Sequence, residues 1–150
     1  MNPVPRHADP RLARVIDFYE SLHAAALSRL PEVYGLQARI KDPFNDVQGP
    51  AAIRRVFEHM YRTLDAPRFV VRSAVLEADE AFLGWDFLFR LRRIDPRREQ
   101  CIRGATHLRF DREGRVALHR DYWDAAEELY EKLPGVGVLM RWLKRRAGGA

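Results

Sequence analysis

The hydrophobic period of this chain changes once, close to Pro67, and that change limits what the chain can fold into. Before Pro67, apolar residues recur at every third or fourth position; beyond it they alternate with polar ones. Asp9 and Pro10 read as a helix N-cap and a first-turn proline. Leu12, Val15, Ile16, Tyr19, Leu22, Ala26, Leu27 and Leu30 then predict a helix over residues 10–29, interrupted by Pro31. An extended stretch over 36–41 stops at Asp42-Pro43, and Gly49-Pro50 opens a second helix whose face is Ile53, Val56, Phe57, Met60 and Leu64.

After Pro67, strands are predicted over 68–78, 81–93, 100–110 and 115–123, the last two joined by the turn Asp111-Arg112-Glu113-Gly114. Trp85, Phe87, Phe89 and Leu91 share one face of their strand, and Asp86, Arg90 and Arg92 share the other. Asp124 with Glu127 predicts a capping box for a helix through Leu133, and Val136 to Arg146 a further amphipathic helix. Helices followed by a meander of long antiparallel strands predict an α+β domain in which helices cover one face of a curved sheet. Such a cone leaves a cavity between the layers, the usual place for a small ligand.

Composition narrows the partners. With 47% hydrophobic and 31% charged residues the chain is an ordinary globular one, and 150 residues are enough for a single domain with a real core. Although 26 Lys and Arg outnumber 21 Asp and Glu, the basic residues are scattered among acidic neighbours, so no nucleic-acid partner is expected. No apolar run approaches the ~20 residues of a membrane span. The first ten residues hold no apolar core of a secretory signal, and Cys101 has no second cysteine to pair with; both make the cytoplasm the expected location. The histidines at 23, 59, 107 and 119 form no helical i, i+4 pair, so neither a metal nor another cofactor is expected.

Several residues could carry chemistry. Asp42 is either the carboxylate of an Asp-Pro turn or a base at a pocket wall. Tyr19 lies on an apolar helix stripe, so its hydroxyl needs an interior partner or a cavity. His119 and Asp121 share a strand face with Trp123, and alternation leaves open whether that face points inward. Thr106 is the one hydroxyl on the inward set Ile102, Gly104, Thr106, Leu108 and Phe110.

In this order and spacing, Tyr19, Tyr34, Asp42-Pro43-Phe44, Gly49 before the Ile53 to Phe57 helix, Arg109-Phe110-Asp111 with Gly114-Arg115-Val116, and Tyr122-Trp123 resemble the ketosteroid isomerase branch of the nuclear transport factor 2-like superfamily. The resemblance covers residues 10–125 of the single domain, leaving a helical extension over 125–146. It implies a cone-shaped sheet around N-terminal helices, with Asp42 as proton-shuttling base and Tyr19 as hydrogen-bond donor to an enolate oxygen. It also implies Tyr34 as neighbour of Tyr19, and Thr106 where the isomerases carry an oxyanion-hole carboxyl. The same resemblance turns the Trp123 face inward, bringing His119 and Asp121 into the cavity. Arg120 to Asp124 is also similar to limonene epoxide hydrolases, but the strand that would supply their Arg and second Asp carries Trp85 and Phe87. Polyketide cyclases of the superfamily use a cavity Asp and His as acid and base.

The expectation is therefore a cofactor-free isomerase, cyclase or dehydratase acting on a small apolar carbonyl compound. Asp42, Tyr19, His119 and Asp121 are the catalytic candidates, and Tyr34, Phe57, Trp85, Phe87, Thr106 and Trp123 the substrate-binding ones. The alternative is a non-catalytic ligand-binding or protein-interaction module with the same cone. The resemblance further implies a homodimer through the outer sheet face, where Leu88, Ala105, Leu118 and Tyr122 lie. For the basic tail, cover of its own core or of a dimer partner is expected ahead of membrane contact.

Overall fold

The computed structural model describes residues 7–128, 130 and 135–147. Helix α1 (Pro10–Glu20) begins as predicted: Asp9 accepts from the Arg11 backbone N–H, and Arg11 ties the helix start to the Asp79 carboxylate at 2.7 Å and to the Ala78 carbonyl. The helix does not run to 29. The Ser21 hydroxyl donates to the Asp17 carbonyl, the backbone turns, and His23 caps a 3₁₀ segment, Ala24–Arg29, through its Nδ1. A single turn, α2 (Leu30–Val33), leads into β1 (Tyr34–Lys41). A short strand that the pattern did not reveal, β2 (Asp46–Gln48), pairs back on β1 before α3 (Pro50–Thr63) begins.

Four long strands follow: β3 (Leu64–Glu77), β4 (Glu80–Leu91), β5 (Asp95–Phe110) and β6 (Val116–Tyr122). The sheet order is β2-β1-β6-β5-β4-β3. The meander β3–β6 is antiparallel as expected, and β1 lies parallel to β6, with Ile40 beside His119 and Lys41 beside Arg120, so the sheet is mixed. Register shifts at Asp65/Arg68, Val71/Ser73 and Arg109/Phe110 bend the strands, and Ala66 takes a left-handed φ of 48° at the first of them. The bend wraps the sheet around α1 and α3, whose Leu12, Val15, Phe18, Ile53 and Phe57 pack against Leu83, Leu108 and Val116 in one core. At the start of β6 the irregular register also turns Val116 inward, although strict alternation assigns it to the face opposite His119.

Beyond β6, the Glu127 backbone N–H donates to Asp124 as the capping pattern predicts, and α4 (Ala125–Glu128) starts there. Its expected end at Leu133 lies outside the described residues. Helix α5 (Val136–Ala147) follows. Among its described side chains, Val136, Val138, Leu139, Trp142 and Leu143 are exposed. No described helix is long and apolar enough to cross a membrane.

Candidate functional site

The concave face of the sheet, α1, α3 and the turn after β1 enclose a cavity of about 360 Å³. Most of its wall is aromatic or aliphatic, because the inward alternating positions of β3, β4 and β5 are Phe69, Trp85, Phe87, Phe89 and Ile102. Phe69 stacks on Phe87 at 4.5 Å and meets Trp85 edge-on at 5.4 Å. Phe57, Met60 and His59 close the wall from α3, and Trp123 meets Phe44 edge-on at 5.6 Å near the turn after β1.

One set of polar groups at the cavity wall forms a hydrogen-bonded line drawn from five elements, α1, β1, β4, β5 and β6. Trp85 Nε1 donates to Thr106 Oγ1 at 2.7 Å, and Thr106 donates to Asp121 Oδ1 at 2.5 Å. His119 Nε2 lies 2.7 Å from the same Asp121 oxygen. A carboxylate accepts but does not donate, so the proton of a neutral His119 sits on Nε2 and leaves Nδ1 as an acceptor. Two hydroxyls reach that nitrogen: Tyr19 at 2.6 Å and Tyr34 at 2.8 Å, themselves 3.0 Å apart. Among the described residues, Thr106 and His119 are the buried non-aromatic polar side chains, and each is paired.

Burial pushes the Tyr19 phenol well above its ordinary range, helped by the neighbouring Tyr34 and the Asp121 charge. Tyr34 is raised for the same first reason, partly offset by its hydrogen bond to Tyr19. Both therefore stay protonated and act as donors. Tyr34, named among the substrate-binding candidates, is 2% exposed and sits behind the cavity wall beside Tyr19. Its proton is spent inside the protein. Since Nδ1 can accept one of the two hydroxyls, donation from Tyr34 leaves the Tyr19 O–H free to point into the cavity.

Thr106 lines the cavity as expected, yet its proton goes to Asp121, so it is no oxyanion donor in this arrangement. Asp42 also lines the cavity, but its carboxylate organises the turn. Oδ1 accepts the backbone N–H of Phe44 and of Asn45, both at 2.7 Å, and the Asn45 side-chain amide reaches both oxygens, Oδ2 at 2.9 Å. By contrast, no described donor reaches Asp121 Oδ2, and the Asp121 side chain keeps 19% of its surface. Asp42, Asp121 and Trp123 also line a shallow groove over Lys41–Pro43 and Arg120–Asp124, so they form a rim between cavity and surface.

Phe44, Phe69 and Ile102 join the wall without having been singled out for it. The inward parity of Ile102 was readable in its strand, while the positions of Phe44 and Phe69 depend on the turn and on the bulged start of β3. Among the described residues no cluster of three or more His, Cys, Asp or Glu is placed to hold a metal ion.

A SnoaL-like domain matches residues 15–119 of this chain. The chain belongs to the SnoaL-like family. The matched stretch of this SnoaL-like protein ends at His119, so Asp121 and Trp123 fall just beyond it. Among solved structures it is similar to a putative SnoaL-like polyketide cyclase from Shewanella putrefaciens, at 15% identity and a TM-score of 0.67 over 82% of this chain and 98% of that one. It is also similar to AclR, a putative hydroxylase from Streptomyces galilaeus, at 19% identity and 0.66 over 83% and 97%. A third is a hypothetical protein of ketosteroid isomerase-like fold from Catenulispora acidiphila, in complex with trimethylamine, at 13% identity and 0.67 over 80% and 89%. At these identities the likeness establishes the fold. No curated protein matches the chain.

Proposed function

We propose that this SnoaL-like protein is an enzyme of the isomerase, cyclase or dehydratase kind, using its own side chains to move a proton on a small apolar carbonyl compound. The supporting observation is the line Trp85–Thr106–Asp121–His119–Tyr34, with the Tyr19 hydroxyl beside its end. With Tyr34 donating to His119, the Tyr19 hydroxyl can face the cavity, and Asp121, which lines it, keeps a second oxygen that no described donor reaches. A cavity of about 360 Å³ is at the small end of the ~300–1,000 Å³ typical of ligand sites, which suits one to three fused rings.

In this reading Asp121 Oδ2 takes a proton from the carbon beside the ketone. The electron pair moves onto the carbonyl oxygen, which accepts a hydrogen bond from Tyr19, while Tyr34 keeps His119 Nδ1 satisfied. His119 and Thr106 hold the other Asp121 oxygen in place. Returning the proton to another carbon completes an isomerisation, and attack of the enolate carbon on a second carbonyl completes a cyclisation. Asp42 is the competing base, but both its oxygens are already engaged, by three donors through four hydrogen bonds.

Deuterium uptake from solvent at the α-carbon of a bicyclic ketone such as 2-tetralone separates the two. Asp121→Asn and Tyr19→Phe are expected to slow enzyme-dependent exchange by about 100-fold or more, as loss of a general base or an oxyanion donor does. Asp42→Asn is expected to stay within a few-fold. The opposite ranking would return the base role to Asp42. A binding module is the second reading, favoured by the engagement of the Asp42 oxygens and the Thr106 proton. It predicts 2-naphthol binding that Tyr19→Phe and Asp121→Asn leave intact, with no exchange on any ketone tried.

A further inference from the structure

Helix α5 carries an apolar face that nothing in the described fold covers. Val136, Leu139 and Leu143 follow one another at helical spacing along that face, and Trp142 widens it; they are 42%, 55%, 44% and 45% exposed. A 12-residue helix is marginal in water by itself, and an amphipathic one is stable when its apolar stripe is laid against something. The charge of α5 says what that something is. It contains four basic residues, Arg141, Lys144, Arg145 and Arg146, and no acidic one, which is most of the net +5 of the whole chain. Arg141 and Arg145, four apart, form a row away from Val136, Leu139 and Leu143, and the Arg146 guanidinium lies 5.2 Å above the Trp142 ring.

We propose that α5 is an interfacial helix that seats this protein on an anionic membrane surface. Val136, Leu139 and Leu143 would enter the acyl boundary, Trp142 would sit at headgroup depth, and Arg145 and Arg146 would face the lipid phosphates. A second copy of the chain is the weaker occupant, because α5 against α5 would bring together two helices of four positive charges each. A nucleic acid would satisfy the charge and leave the apolar face in water. The helix is too short and too charged to span, so the contact is peripheral.

Co-sedimentation of the full chain with vesicles of phosphatidylcholine, alone or mixed with phosphatidylglycerol, tests this. Binding to the mixed vesicles is expected to exceed binding to neutral ones at least about tenfold, and each removed positive charge should weaken it roughly fivefold. Deleting residues 135–150 should abolish it, and so should Leu139→Glu with Trp142→Glu; high salt should reduce it. Unchanged thermal unfolding of these variants shows that the body of the protein is intact. The proposal is overturned if the full chain ignores anionic vesicles, if it binds neutral ones equally well, or if the deletion leaves binding unchanged. Self-association that depends on Leu139 and Trp142, without vesicle binding, would instead assign the face to a second copy.

Discussion

Replacing Thr106 by valine tests whether the polar line in the cavity is one connected unit. The two side chains have nearly the same shape, so the change removes a hydroxyl and opens no cavity. Thr106 is 1% exposed and Trp85 5%, and water therefore cannot replace the lost acceptor of the indole N–H. Leaving that donor orphaned costs about 1–3 kcal/mol. Asp121 loses a charge-assisted bond worth about 1.5–3 kcal/mol, but it keeps His119 and some solvent, so the low end applies. The added methyl returns about 0.8 kcal/mol of burial. The net expectation is a loss of about 2–4 kcal/mol, or roughly 5–12 °C in Tm for a chain of this size. Urea unfolding of Thr106→Val, Trp85→Phe and the double variant reads it out. The double variant has no orphan donor and should be more stable than the sum of the single losses by about 1 kcal/mol or more. Thr106→Ser, which keeps both bonds, should stay close to the parent. Strict additivity, or a Thr106→Val loss under about 0.5 kcal/mol, would refute the linkage.

Two further outcomes follow from local geometry. A Cβ on Gly104 would fall 2.4–2.9 Å from three atoms of the Trp85 ring, so Gly104→Ala should cost about 1–3 kcal/mol in urea unfolding and, by tilting the indole, weaken 2-naphthol binding. At the start of α1 the Arg11 side chain holds the Asp9 carboxyl down from 3.8 to about 2. Its contribution is therefore fully present above about pH 4 and lost as pH falls through about 2. Because the pair is partly exposed, the gap between wild type and Asp9→Asn in thermal unfolding should be under about 1 kcal/mol at pH 7 and should close near pH 2. A gap that widens on acidification would contradict the ion pair as its source.

Helix starts and turns were legible because their causes lie within a few residues. Asp9-Pro10, Gly49-Pro50, Asp124 with Glu127, and the Asp111–Gly114 turn with Gly114 at a φ of 76° each satisfy their own backbone. The break after Glu20 was hidden, since a serine hydroxyl that takes the Asp17 carbonyl leaves no mark on the apolar period. Alternation also assigned the inward faces of β4 and β5, but it failed at Val116, where the irregular register advances the face by one residue. The position of Asp42 at the turn could be read from its neighbours, whereas the engagement of both its oxygens depended on how the turn closes.

The sequence by itself determined an α+β chain with helices before a meander, an aromatic inward face, and a resemblance that implied Tyr19, from the first helix, together with His119 and Asp121 at the cavity. Tertiary structure alone decided that β1 runs parallel beside β6, because strand pairing joins segments some 80 residues apart and periodicity carries no information about partners. The same pairing sets Ile40 beside His119, and the fold joins the Tyr19 and Tyr34 hydroxyls to one imidazole nitrogen across separations of 100 and 85 residues. Which groups hold a proton to spare is a property of that convergence: Thr106 and Tyr34 spend theirs inside the protein, and Asp121 Oδ2 is left open. Residue types could nominate these side chains; the hydrogen bonds that divide their labour exist only where the chain brings them together.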